Sequence, residues 1–115
     1  MSDVKITVGG AMEGAASRRF VDAWHRAERG ESFHERHLAF ESWDALARVL
    51  TAKRMELLRY VRRHKVKSVR ALAKALGRDY SNVHADVRAL ADAGLLDAAN
   101  GVRADYDAIE TRIAI

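Results

Sequence analysis

One stretch of the chain leaves little freedom in how it can fold. From Ser68 to Leu96 the sequence SVRALAKALGRDYSNVHADVRALADAGLL carries apolar residues at three- and four-residue spacing in two runs, separated by Gly-Arg-Asp and closed by Ala-Gly-Leu-Leu. That spacing predicts two amphipathic helices. Ser68 is the expected N-cap of the first, with Val69, Leu72, Ala73 and Leu76 facing inward. Gly77 ends it, because glycine enters the left-handed region without steric cost. Asp79 caps the second, which runs from about Tyr80 to Ala93 with Val83, Val87, Leu90 and Ala91 inward, and Gly94 ends that one. A connection this short makes the helices cross steeply and leaves one side of the second open. With Val83 at zero and about 100° per residue, Val87 and Leu90 fall within about 40° of it, whereas Ser81, His84, Ala85, Arg88 and Asp92 fall roughly 100–200° away.

The rest of the chain is built around this pair. Val4–Val8 alternates with β-branched residues, as a short strand stopped by Gly9-Gly10 does. A helical pattern follows from about Met12 to Arg29, with Ala16, Phe20, Ala23, Trp24 and Ala27 on one face. ESFHERHLAF reads as extended, Leu38 and Phe40 pointing the same way. Ser42 caps a helix with a stripe of Trp43, Leu46, Ala47 and Leu50. Thr51 caps a longer one, AKRMELLRYVRRHK, in which Met55, Leu58 and Val61 form the stripe and Lys53, Arg59, Arg62 and Arg63 lie away from it. Leu95-Leu96 begins a strand, Ala98–Gly101 is a turn, VRADY returns, and AIETRIAI alternates as a last strand. Trp24 and Trp43 are most simply core residues, with a dimer interface as their second use.

The net charge is +4, but it is unevenly placed. Residues 1–50 hold seven Lys/Arg against eight Asp/Glu, residues 51–78 hold ten against one, and residues 79–115 hold three against seven. A basic stretch between acidic flanks points to a directed surface for a polyanion, the bland alternative being a solvated basic helix face. The absence of cysteine excludes disulfides, thiol nucleophiles and cysteine-ligated metals. No apolar run is long enough to span a bilayer and MSDVKITVGG has no signal-peptide core, so the expectation is a soluble cytoplasmic protein without membrane contact.

On the open side of the second helix stand the groups a DNA groove requires. Arg88 can pair with guanine O6/N7, His84 and Ser81 can donate to bases or phosphate, and Ala85 permits close approach. Tyr80 and Asn82, near the N-terminal end, suit phosphate or sugar. Arg70 and Arg78, by the turn, suit phosphate; the alternative for Arg78 is an ion pair with Asp79 or Asp86. Asp86, at the flank of the inward face, reads as a structural partner for a basic residue. Arg103 in the returning segment is either a basic tip for the minor groove or a solvated hairpin residue. Lys53 and Arg54 either anchor on the DNA backbone or are merely exposed.

With Leu76-Gly77, Val83 and Leu90-x-x-x-Gly94-Leu95-Leu96 in place, residues 51–104 resemble winged helix-turn-helix transcription regulators of the MarR/ArsR type. Over nearly the whole chain, KITVGG, AWHRAERGE, LAFESWDALARVLTAKRMELLRYV and GRDYSNVHADVRAL resemble a small prokaryotic family of winged-helix DNA-binding proteins that is itself similar to antitoxins of TumE-type toxins. Arg78-Asp79-Tyr80 stands where MarR-type proteins have Val-Ser-Pro. The resemblance implies operator binding, at the protein's own promoter, and a cognate toxin as a further partner.

The expected fold is therefore α+β, a mainly helical winged helix-turn-helix with a β-wing and an N-terminal strand-helix extension. Residues 1–50 form the extension, for dimer or partner contacts, and residues 51–115 the DNA-binding domain. The expected function is a sequence-specific double-stranded DNA-binding regulator, a homodimeric autorepressor, the alternative being an antitoxin that neutralises a toxin by protein contact. Its DNA-binding set is Ser68, Arg70, Arg78, Tyr80, Ser81, Asn82, His84, Arg88 and Arg103. No metal is expected, since His34 and His37 point to opposite faces of an extended segment and His25, His64 and His84 are scattered. No cofactor and no catalysis are expected either: Ser17, Ser32, Ser42, Ser68 and Ser81 lack a nucleophile-elbow context, and there is no Gly-rich phosphate loop.

Overall fold

The alternation at the start of the chain produces a strand, β1 (Asp3–Val8), in which Val4, Ile6 and Val8 are buried and Asp3, Lys5 and Thr7 half-buried. A computed structural model of the chain describes residues 3–9 and 35–115. The helix expected over Met12–Arg29, with Trp24, His25 and His34, lies outside them. The fold is α+β, with four helices and one three-stranded parallel sheet among the described residues. The chain divides into two units, one of residues 1–48 and 106–115, the other of Val49–Asp105.

In the first unit β1 is the central strand. It pairs in parallel with β2 (Glu35–Phe40), and again in parallel with β3 (Ala108–Ile113), Asp3 standing opposite both Glu35 and Ala108. The last strand, expected to run with residues 51–115, thus joins the N-terminal strand instead. As the central strand β1 has its backbone N–H and C=O groups paired on both sides, and the alternating AIETRI supplies the second partner. Helix α1 (Trp43–Val49) starts where the Ser42 hydroxyl accepts the Ala45 N–H at 3.2 Å. Of its expected stripe only Leu46 is buried. Trp43, expected in the core, is 56% exposed; it is the first residue of a helix of seven, which buries only the residue one turn further on.

The second unit carries the remaining helices. Thr51 accepts the Arg54 N–H and opens α2 (Ala52–Arg63), whose Leu57, Leu58 and Val61 are buried while Met55 is half-buried. Ser68 accepts the Ala71 N–H at 3.1 Å and opens α3 (Val69–Leu76). Gly77 closes it at φ +65°, so that the N–H groups of Gly77 and Arg78 reach back to the carbonyls of Lys74 and Ala73. Asp79 accepts the Asn82 N–H at 3.2 Å and opens α4 (Tyr80–Asp92), with Val83, Val87 and Leu90 buried. These join Leu57, Leu72, Leu95 and Val102 in the apolar core. Each such side chain contributes about 1.5–3 kcal/mol on burial.

After α4 the expected strand and its return contract to single bridges. Asp97 and Arg103 exchange N–H···O bonds at 2.8 Å, and Val102 donates to Val66 O at 3.0 Å, tying the hairpin to the segment between α2 and α3. Gly101, at φ +81°, lies so close to that segment that a Cβ would meet Val66 O at 2.6 Å. Gly101→Ala combines a strained backbone with this clash, and should destabilise the protein by about 1–3 kcal/mol in urea unfolding.

Tyr106 is buried in the first unit, and burial pushes its hydroxyl up to about 12 from the usual 10, the Arg36 charge partly opposing the shift. Folding thus favours the neutral phenol: its contribution is intact below pH about 10 and is lost as pH rises towards 12. Stability should fall by about 1.4 kcal/mol per pH unit in that window, since the unfolded chain has released a proton the folded one retains. In Tyr106→Phe, denaturant midpoints measured across the same window should lose this component of the slope.

Candidate nucleic-acid interface

Helix α4 is fixed along one side and open along the other. Opposite Val83, Val87 and Leu90 lie Ser81, Asn82, His84, Ala85, Arg88 and Asp92, all exposed, so every α4 position expected on the outer face is on it. Tyr80, at the first turn, is 41% exposed, and the Arg70 guanidinium of α3 stands over its ring, 4.9 Å from the centroid. The His84 ring centroid is 5.8 Å from that of Tyr80. Arg70, Tyr80 and His84 therefore form one group that carries a positive charge to the N-terminal end of α4, the end whose free N–H groups and dipole favour an anion. Ser68 is exposed but its hydroxyl is engaged in capping α3.

Arg78 and Arg54 are placed differently from the other cations. Arg78 Nη2 donates to Asp86 Oδ2 at 2.8 Å, and Arg54 Nε donates to Asp86 Oδ1 at 3.1 Å; Arg54 Nη1 also donates to the Val49 carbonyl at 3.0 Å. All three side chains are half-buried. Of the two uses considered for Arg78, the structure shows the ion pair, and Arg54 is neither exposed nor turned outward. Asp86 is the structural partner its helix position suggested, with two arginines where one was expected. Arg103 is exposed on the hairpin, 3.2 Å from Asp105 and 3.7 Å from Asp97.

The other eight cations of residues 51–78 are all exposed: Lys53, Arg59, Arg62, Arg63, Lys65, Lys67, Arg70 and Lys74. Several converge on a feature no local pattern reveals. Between the C-terminal end of α2 and the hairpin opens a cleft of about 720 Å³, lined among others by Arg63, His64, Lys65, Lys67 and Arg103, with Asp105 as its one carboxylate. The run RRHKVK carried the charge in sequence, but only the Val66–Val102 bridge brings it against the hairpin. Among the described residues no group of His, Asp and Glu could hold a metal ion, and no helix is long and apolar enough to cross a membrane.

The HVO_A0114 family model matches residues 49–111. The chain belongs to the HVO_A0114 family. The region shared with the HVO_A0114 family begins at the first residue of the second unit and runs through it into β3. It therefore contains α2, α3, α4 and the hairpin complete. No curated protein and no solved structure matches the chain.

Asp86→Ala leaves two half-buried guanidinium groups without their carboxylate. It should destabilise the protein by about 2–3 kcal/mol, read as a lowered urea midpoint.

Proposed function

We propose that the chain is a sequence-specific double-stranded DNA-binding regulator of winged helix-turn-helix type, acting as a dimer that represses its own operator. In this reading α3, the Gly77-Arg78-Asp79 turn and α4 are the helix-turn-helix, and residues 97–103 are a short wing. The observation that carries the reading is the two-sided character of α4. Its inner side is locked by Val83, Val87 and Leu90, and its outer side presents a hydroxyl, an amide, an imidazole, a methyl and a guanidinium, with a carboxylate (Asp92) only at the C-terminal end and no bulky apolar residue in between. A helix held in this way enters a major groove as a rigid reader.

The roles follow from position. Arg88 reads a base edge, with Ser81 and His84 donating to bases or phosphate beside it. Arg70, over Tyr80, contacts phosphate at the helix N-terminus, and Asn82 contacts phosphate or sugar. Arg103 on the hairpin and the exposed lysines and arginines of α2 and of the segment after it add sequence-independent attraction. Two copies present two α4 helices to successive major grooves, so the operator is a rough palindrome with half-sites about one helical turn apart. Arg78, tied to Asp86, positions the turn rather than the phosphate.

The test is a salt titration of the purified protein against its own upstream DNA and against an unrelated duplex. A clear preference for the upstream DNA, with affinity falling steeply as salt rises, is expected. Arg88→Ala should cost about 1–3 kcal/mol and relax the preference at one base position. A uniform loss across all sequences would move Arg88 to the backbone. Equal, weak binding of both duplexes would overturn the reading and leave the basic surface as a general polyanion contact.

A further inference from the structure

Strand β3 lies at an edge of the sheet, with β1 on its inner side and no described strand on its outer side. Ala108, Glu110, Thr111, Arg112 and Ile113 are all exposed, Ile113 by 47%. Its register with β1 runs without a bulge from Ala108 to Ile113, and it contains neither proline nor lysine. Its two charges, Glu110 and Arg112, are of opposite sign, so such an edge is a template for a strand of complementary charge order. Ala114 donates its N–H to Val8 O on the inner side. Backbone groups of alternate residues point to opposite sides, so those of Ile109, Thr111 and Ile113 face outward.

We propose that β3 pairs antiparallel with β3 of a second copy about a two-fold axis through Thr111, joining two three-stranded sheets into one. The order of charges selects this register. With the axis at Thr111, Glu110 stands opposite the partner's Arg112, Ile109 opposite the partner's Ile113, and Thr111 opposite the partner's Thr111. Ile109, Thr111 and Ile113, whose backbone groups face outward, then meet as hydrogen-bonded pairs. Moving the axis one residue either way sets Glu110 against the partner's Glu110 or Arg112 against the partner's Arg112, and like charges directly opposite are destabilising. Parallel pairing in register does both at once and does not close.

The existing ion pair extends the argument. Lys5 Nζ lies 2.6 Å from Glu110 Oε2, across the β1–β3 ladder. Arg112 makes no ion pair among the described residues. Across the two-fold axis one face of the joined sheet then carries Lys5, Glu110 and the partner's Arg112 in a row of alternating sign. On the other face Ile109 and Ile113 cover the partner's Ile113 and Ile109. The interface deepens the two-copy part of the proposed function and rests on that part alone, not on DNA binding.

The test is the mass of the full chain without DNA, by sedimentation equilibrium over a wide concentration range. The wild type is expected to dimerise. Arg112→Glu alone and Glu110→Arg alone should each weaken association by about tenfold or more, since each places like charges across the axis twice. An equimolar mixture of the two variants should recover the dimer, because the unlike pairs form again between them; recovery also shows that both variants are folded. Thr111→Pro removes an outward N–H at the axis, leaves the bonds to β1, and should give a monomer. A wild type that stays monomeric, a dimer indifferent to these changes, or a mixture that fails to recover overturns the proposal. A monomer that still prefers its operator sinks this interface and leaves the DNA reading standing; a dimer of this design that ignores DNA does the reverse.

Discussion

The carboxylate of Asp86 sits between two guanidinium groups, from Arg54 on α2 and Arg78 in the turn before α4. Three pieces of the second unit that are separate in sequence are joined by one side chain. A half-buried ion cluster of this kind adds little to stability over a well-packed apolar one, since desolvation takes back much of what attraction gives. Arg78 Nη1, buried without a hydrogen-bond partner among the described residues, is part of that cost. What the cluster provides is placement. Apolar packing of Val83, Val87 and Leu90 sets which side of α4 is buried, but a smooth apolar face tolerates some sliding and rotation. Two charged hydrogen bonds to Asp86, on the flank of that face, remove this freedom and fix the azimuth of Ser81, His84 and Arg88.

The same cluster sorts the basic residues. Arg54 and Arg78 are spent inside the unit, whereas Lys53, Arg59, Lys65, Lys67, Arg70 and Lys74 remain exposed to solvent. Acidic residues are kept close to structural tasks: Asp79 caps α4, Asp86 holds the arginines, and Asp97 accepts the Ala99 N–H in the hairpin turn. Asp105 and Glu110 are likewise engaged, with Arg103 and Lys5.

What was legible in the sequence follows the range of the interaction. Ser68, Gly77 and Asp79 act on backbone groups within a few residues of themselves, so their capping was readable without knowing any neighbour. The inward set of α4 was readable for the same reason, because helical geometry alone puts Val83, Val87 and Leu90 on one side. Arg54 was not. Its partner is in another helix, and nothing local distinguishes it from Lys53. Trp43 shows the opposite failure: hydrophobicity and spacing placed it in the core, but α1 is short and Leu46 is its one buried residue. The destination of β3 was the least legible. Its alternation announced a strand, yet pairing with residues at the other end of the chain has no local signature.

The closing of the chain's two ends in one sheet bears on how a two-copy reader could work. Because β1 holds β3 in register over its whole length, the outward edge of β3 is preformed, and pairing costs little conformational entropy. In the proposed dimer one pair of edge strands with a charge complement is still a modest interface, so free copies would exchange between monomer and dimer. On the proposed palindromic operator, the first copy bound would raise the effective concentration of the second, and the weak edge pairing would become intramolecular in effect. Phosphate contacts would then count twice in one complex, and affinity would become steep in both protein concentration and salt. That steepness would suit the proposed autorepressor: occupancy would change over a narrow range of its own concentration without a stronger interface.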